Sequence, residues 1–371
     1  MIQRFYVHNF RCLENFELPI SARPSSLLIG RNGAGKSTVG AALEVLQSIA
    51  RGTNRVGELV GETDFAHGRC HIPLRIEIEV MLADSLYQYH LALELPEGFR
   101  EIRVAQERLS QDGKEVYSRD RAQVILGRTS TDREAKFLVD WHLVALPVIQ
   151  EQSAADPLHV FKSWLARMLI LAPIPARMTG DSEGDTLMPR RDVKNFGEWF
   201  SGLLAHSPAA YTQIDSYLKD VLHDFRDIKN PIIGKDSRSL SVQFQQDTAT
   251  LSLPFDALSD GEKCYFVCAL VLASNKAYGP VFCFWDQPES YLSLAEVGHF
   301  VMALRRSFQS GGQLVVTSHN PEAIRRFSDE NTLLLHRRSH LEPTLVRAIS
   351  DVQVNGDLVD ALISNDVEPE P

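Results

Sequence analysis

Apolar and polar positions change their period several times along this chain. The first 30 residues carry short β-type runs, IQRFYVHNF, NFELPI and SSLLIG, the last ending on a glycine. The spacing then lengthens. GKSTVGAALEVLQSIA sets Val39, Leu43, Leu46 and Ala50 at helical intervals and predicts a helix beginning at Lys36. From about 71 to 126 a period of two returns in HIPLRIEIEVML and LYQYHLALEL, with LPEG and QDGK as turn signals, which predicts an antiparallel β region. Residues 135–230 have a mainly helical pattern in FKSWLARMLI, VKNFGEWFSGLL and AAYTQIDSYLKDVLHDF, with the polar TGDSEGDTLMP between them as a mobile loop. Two β segments, LSVQFQQ and ATLSLPF, lead into the last third. There the pattern alternates as helix 259–276, strand 281–285, helix 293–308, strand 313–317, helix 320–327 and strand 331–336. Alternation of this kind builds a parallel sheet flanked by helices. No a/d heptad is sustained, so no long coiled coil is expected, and the acidic tail SNDVEPEP is expected to fray.

Composition narrows the class. A chain of 371 residues with 44% hydrophobic and 23% charged residues is of ordinary globular type. Its longest apolar runs, such as CALVLA at 268–273, fall well short of the ~20 residues that cross a bilayer, and MIQRFYVHNF shows no charged-then-apolar leader. Cys12, Cys70, Cys264, Cys268 and Cys283 are odd in number and lack CxxC spacing. Core packing is expected for Cys264 and Cys268, and a cytoplasmic location for the protein. The net charge of −10 argues against a surface made for wrapping nucleic acid, though not against a local basic channel. The pairs Arg305–Arg306, Arg325–Arg326 and Arg337–Arg338 read either as solvated faces or as a partner or nucleic-acid surface.

Four motifs carry chemistry. GRNGAGKST, Gly30 to Thr38, fits GxxxxGK[ST] and has the strand before it and the helix after it that the motif needs. Gly30, Gly33 and Gly35 would let the loop's backbone curl around phosphate oxygens, with Asn32 and Ala34 as further binding residues of the same loop. Lys36 would reach the β- and γ-phosphates, and Ser37, next to Thr38, would ligate Mg²⁺. VFCFWD is an apolar strand ending in Asp286, a second Mg²⁺ ligand at the carboxyl edge of a sheet. LSDGEK opens a helix with Ser259 and Gly261, where free N–H groups attract anions; Ser259 and Glu262 are also an ordinary capping box. TSHNP places His319 just after a buried strand.

Taken in this order, the four motifs make the chain resemble the ABC-type ATPase heads of the RecF/SMC-like class, many of which are called AAA family ATPases. NFRCLENFELPI is similar to that group's opening signature, with Arg11 at its characteristic position, and LILAPIPARMTGDSEGDTL resembles the middle region of RecF-like ATPases. The resemblance implies an α/β fold: an ABC-type P-loop head with an antiparallel β subdomain and a helical insertion. The head would comprise 1–134 and 235–371, and the insertion or lid 135–234. ATP and Mg²⁺ are the implied cofactors, with Arg11 in the nucleotide site. The resemblance further implies a sandwich dimer, in which Ser259 and Gly261 touch ATP held by a second copy and His319 senses the γ-phosphate in its own chain. No glutamine is assigned to the loop that follows the P-loop helix.

The group reads Asp-Glu-Pro-Glu where this chain reads Asp286-Gln287-Pro288-Glu289. An amide is no general base, so hydrolysis is expected to be slow and the ATP-bound dimer long-lived. Three accounts stay open: a glutamate changed to glutamine as a deliberate trap, a native slow switch, or transfer of the role of base to Glu289. The implied function is a nucleotide-gated switch acting on DNA or on an effector, a nuclease or toxin, in phage defence or DNA repair. The alternatives are the cytosolic ATP-binding subunit of an ABC transporter and a non-hydrolysing scaffold.

Overall fold

A computed structural model describes residues 1–127, 135–327, 329–351 and 359; the SNDVEPEP tail lies outside them. The chain divides into two compact units. The first comprises Met1–Arg23, Leu28–Met168 and Leu333–Asp351, the second Pro24–Leu27, Leu169–Thr332 and Val352–Pro371. Residues 135–234 are therefore shared between the units, parting at Met168.

In the first unit the period-two segments pair as expected. Among the described residues they form an eight-stranded antiparallel sheet that includes Ile2–His8, Leu74–Leu82, Ser85–Glu94, Arg103–Gln111 and Lys114–Asp120. Register lines up Phe5, Ile78, Tyr89, Leu109 and Tyr117 across five strands, and all five are fully buried. Each such side chain contributes about 1.5–3 kcal/mol through burial. The QDGK turn is built by Asp112 and Gly113 in left-handed conformations. The helix Pro157–Ala166, capped by Asp156 and opened by a proline, lays Phe161 against Tyr87 and Tyr89 with ring centroids 6.0 and 5.6 Å away.

Buried charges on neighbouring strands depart from the apolar rule of this sheet. Glu107 is fully buried, and its carboxylate accepts from Tyr89 and Tyr117 hydroxyls (3.0 and 2.7 Å) and from the Ala145 and Leu146 N–H groups (2.7 and 2.9 Å). Arg119, equally buried, stands 3.6 Å away and spends its N–H groups on the carbonyls of Arg121, Asp140 and Leu143. Burial and the Glu107 charge push both tyrosine hydroxyls well above their ordinary range, so they stay protonated donors.

The second unit contains the alternating region. Leu169–Leu171, Phe282–Asp286 and Gln313–Thr317 lie side by side in parallel, with Leu169 opposite Cys283 and Asp286 opposite Thr317. Helices Asp260–Tyr278, Leu294–Gln309 and Pro321–Arg326 fall within two residues of the expected bounds. Cys264, Cys268 and Cys283 are buried free thiols, as core packing requires. Phe196 stacks on Phe255 at 4.3 Å, and Phe266 meets both edge-on.

The mainly helical pattern of 135–230 is corrected in detail. α-Helix occupies Pro157–Ala166, Phe196–His206 and Ala210–Val221, with a short 3-10 turn at Pro175–Arg177. FKSWLARMLI stops being helical after Ala166, because Leu169–Leu171 is a fully buried strand; a short all-apolar run cannot tell the two apart. TGDSEGDTLMP is not a plain loop either. Asp181–Ser182 pairs with Ser237–Ser239 in a small sheet. No helix of the described residues is long and apolar enough to cross a membrane.

Candidate functional site

The P-loop belongs to the first unit, and its shape follows from three glycines. Gly30, Gly33 and Gly35 have φ of 144°, 80° and 98°. At Gly30 a Cβ would lie 2.2 Å from the carbonyl oxygen of Leu335, and at Gly35 it would lie 2.8 Å from Thr344 Oγ1 and 2.9 Å from Cys12 Sγ. Glycine is required at both places by space as well as by conformation. The helix Lys36–Ala50 then starts on Gly35 with no side-chain cap and no acidic residue in its first turn, which leaves its positive end open to an anion. Lys36 is 5% exposed, and its ammonium donates to the carbonyls of Gly30 (2.6 Å) and Arg31 (3.0 Å), spanning the mouth of the loop. Asn32, Gly33 and Ser37 are exposed, Thr38 is half-buried, and Ala34 is buried beneath the loop with its carbonyl accepting from Thr344 Oγ1 at 3.0 Å. This cradle suits a chain of phosphates.

Arg11 sits in a left-handed turn (φ 54°). Its Nε donates to Asp64 at 2.7 Å while its guanidinium lies 5.2 Å over the Phe10 ring. The side chain remains about half exposed.

The other motifs lie in the second unit, and Thr317 gathers two of them. Its hydroxyl donates to Asp286 Oδ1 at 2.5 Å and accepts from the Gln287 N–H at 3.0 Å. The second Asp286 oxygen faces Arg191 at 3.9 Å. Gln287 is held in a left-handed conformation (φ 50°), exposed, with Ser290 Oγ donating to its carbonyl (3.0 Å) and its side-chain oxygen (3.3 Å). One residue on, the same two loops meet again: Ser318 Oγ donates to Glu289, which is only 5% exposed. Burial raises the Glu289 carboxyl above its ordinary range, against the lowering effect of the Ser318 bond. Little of this carboxyl meets solvent. His319, next to Ser318, is exposed.

LSDGEK forms the capping box its sequence suggests. Ser259 Oγ accepts from the Glu262 N–H at 3.3 Å, and Glu262 Oε2 accepts from the Ser259 N–H at 2.7 Å. Gly261 approaches the chain just beyond Gln287, since a Cβ there would be 3.0 Å from the Tyr291 carbonyl oxygen. Lys263 turns inward to the Pro175 carbonyl at 3.2 Å. Ser259 and Asp260 stay exposed on the surface.

Sequence reasoning missed four participants. Thr317 and Ser318 stand inside the TSHNP motif, where the histidine drew attention away from two hydroxyls; the buried strand running into them was the available signal. Cys12 and Thr344 reach the P-loop from remote segments, and nothing in their spacing announces it. The arginine pairs are partly structural: Arg305 donates to the Arg326 carbonyl and lies 4.8 Å over Phe327, Arg326 pairs with Glu322, and Arg337 donates to the carbonyls of His340 and Glu342.

A glycine-built P-loop in the first unit, and an acidic strand end beside a histidine loop on the parallel strands of the second, are the motifs of a P-loop ATPase head. The chain belongs to the RecF/RecN/SMC N terminal domain family, whose model matches residues 1–340, and is a RecF/SMC-like ABC-type ATPase head. Its fold is similar to that of an SMC head solved in complex with the C-winged helix domain of ScpA, at a TM-score of 0.56 and 13% identity over 94% of this chain and 98% of that one. An SMC head domain from Thermotoga maritima matches at a TM-score of 0.46 and 14% identity over 95% and 99% of the two chains. Over 46 residues the chain is 44% identical to an OLD nuclease of Thermus scotoductus, a match that spans 12% of this chain and 8% of the nuclease.

Proposed function

We propose that the chain is a Mg-ATP-gated dimerising switch. The observation that carries this reading is the P-loop itself, with three left-handed glycines, an uncapped helix start and Lys36 drawn across the loop mouth. Lys36 and the loop N–H groups would hold the β- and γ-phosphates, and Ser37 with Asp286 would hold Mg²⁺, which neutralises phosphate charge when bound. Ser259, exposed, and Gly261, half-buried, would meet at their helix start ATP carried by a second copy. Arg11 and His319 would complete the nucleotide site of their own chain.

Gln287 follows Asp286 where the family places glutamate. Its side-chain oxygen is engaged by Ser290, and an amide takes no proton from water at neutral pH. ATP would then close two heads and hold them closed, whether the glutamine is native or was put there as a trap. The surfaces attached to the heads move with that closure. The short likeness to an OLD nuclease supports a role in which the moving surface serves a nuclease or toxin partner, on DNA, in phage defence or repair. The family match favours this reading over a transporter subunit, and recovery of the chain with a membrane permease would reverse that preference.

Two measurements test the proposal. Light scattering should show a monomer becoming a dimer on adding Mg-ATP; a mass unchanged at saturating Mg-ATP refutes the switch. Single-turnover hydrolysis by Gln287→Glu should exceed that of the present chain by about 10²–10⁴-fold. No increase would refute the trapped-switch account and leave a non-hydrolysing scaffold.

A further inference from the structure

Glu289 has no place in the chemistry described so far, yet its surroundings are specific. It is 5% exposed, three residues beyond Asp286, on the loop that carries Gln287. Its Oε1 accepts from Ser318 Oγ, its carboxylate lies beside the N–H of His319, and its Oε2 finds no hydrogen-bond partner among the described residues. Ser318 Oγ in turn accepts from the Asn320 N–H at 2.9 Å, and Asn320 caps the helix Pro321–Arg326 through the N–H groups of Glu322 and Ala323 (2.9 and 3.4 Å). One residue back, Thr317 binds Asp286 and the Gln287 N–H. Two successive hydroxyls of the histidine loop thus clasp two carboxylates of the acidic loop.

A clasp of this form fixes more than a single contact. Thr317 and Ser318 precede His319 directly, and side chains of adjacent residues leave an extended strand on opposite sides. Binding both therefore restrains rotation of the loop about the strand axis, and His319 is the first exposed residue after them. A buried carboxyl with one oxygen unpartnered is costly, so its retention needs a return. Locking the backbone that presents His319 supplies one.

We propose that Glu289 is a positioning residue for His319, acting through Ser318 and the His319 N–H to hold the histidine loop against the acidic loop. The proposal rests on the reading of His319 as a γ-phosphate sensor. It predicts that loss of the clasp leaves nucleotide binding by the P-loop intact and misplaces the sensor, which costs hydrolysis.

The test uses the full chain carrying Gln287→Glu, so that turnover can be measured. Glu289→Ala and the milder Ser318→Ala should each slow single-turnover hydrolysis about 10²-fold, the cost of a 1 Å misplacement, with the dissociation constant of a fluorescent ATP analogue changed less than about twofold. Glu289→Gln keeps an acceptor for Ser318 and should recover most of the lost rate. In a His319→Ala background, Glu289→Ala should have no further effect, because the residue it positions is gone; an additive loss overturns the proposal. Hydrogen exchange at the His319 amide is read without nucleotide and should quicken in Glu289→Ala and Ser318→Ala but not in Glu289→Gln. Unchanged exchange in both alanine variants also overturns it. If exchange responds as expected but the parent neither binds nor hydrolyses ATP, the clasp stands and the sensor reading fails. If Glu289→Ala does not fold, Ser318→Ala decides by the same two readouts.

Discussion

Replacing Thr317 with valine deletes one hydroxyl and keeps the shape of a fully buried, β-branched strand residue. That hydroxyl makes two bonds, to Asp286 Oδ1 at 2.5 Å and from the Gln287 N–H at 3.0 Å. The first is charge-assisted and contributes about 1.5–3 kcal/mol, and the second, being neutral, contributes about 0.5–1.5 kcal/mol. Gln287 is exposed, so water can take over its N–H, and the smaller end of that second range applies. Thr317→Val should therefore cost about 2–3.5 kcal/mol, while Thr317→Ser should cost far less because it keeps the hydroxyl. Urea unfolding, followed by tryptophan fluorescence that includes the neighbouring Trp285, measures this as a shift in midpoint at constant slope. Asp286 would also lose the bond that aims it, so Mg-ATP affinity should fall with stability. A loss below about 0.5 kcal/mol, the range of an inert surface change, would refute the role of Thr317 as the hub of this edge.

Gly30→Ala puts a methyl 2.2 Å from the Leu335 carbonyl at a φ of 144° and should abolish ATP binding and lower the thermal midpoint, measured with a fluorescent nucleotide and by calorimetry. Glu107→Ala strands Arg119, two tyrosine hydroxyls and two N–H groups in the sheet and should destabilise the protein by about 3–5 kcal/mol in equilibrium unfolding. The Glu289 carboxyl, raised by burial and secondarily by the charge of Asp286, releases its proton at lower pH unfolded than folded. The native state therefore binds more protons between the two values, and this contribution is present below the unfolded value and lost as pH rises towards the folded one. Thermal midpoints of Glu289→Gln measured against the parent should show that loss with rising pH in the parent only; parallel curves would count against the assignment.

Much of the fold was legible because burial here follows backbone period. Lys36 was read as the first residue of its helix from the switch of spacing beside glycine, and Leu74, Ile76, Ile78 and Val80 alternate as a one-sided sheet demands. Leu169–Leu171 escaped because three buried apolar residues in a row have no period to read. At the site, the glycines and Asp286 were visible since their backbone or charge requirements are local. Thr317, Ser318 and Thr344 act through hydroxyls whose partners lie about 30 or more residues away, and a hydroxyl's partner leaves no mark in spacing. Ser259 was legible twice over, as a cap and as an anion-facing helix start, and the structure displays the cap.

Thr344 gives the P-loop a dependence on time as well as place. It supports Ala34 from 310 residues downstream, and its own N–H donates to the Cys12 carbonyl at 2.9 Å. During synthesis Ala34 leaves the ribosome 310 residues ahead of Thr344, and the phosphate loop waits that long before its underside is closed. A nascent head therefore has its binding motif in hand long before it has the shape to use it, and arrested chains ending before Thr344 should bind nucleotide poorly where chains extending past Ala348 bind it well. Nucleotide engagement would then report that synthesis has passed Thr344.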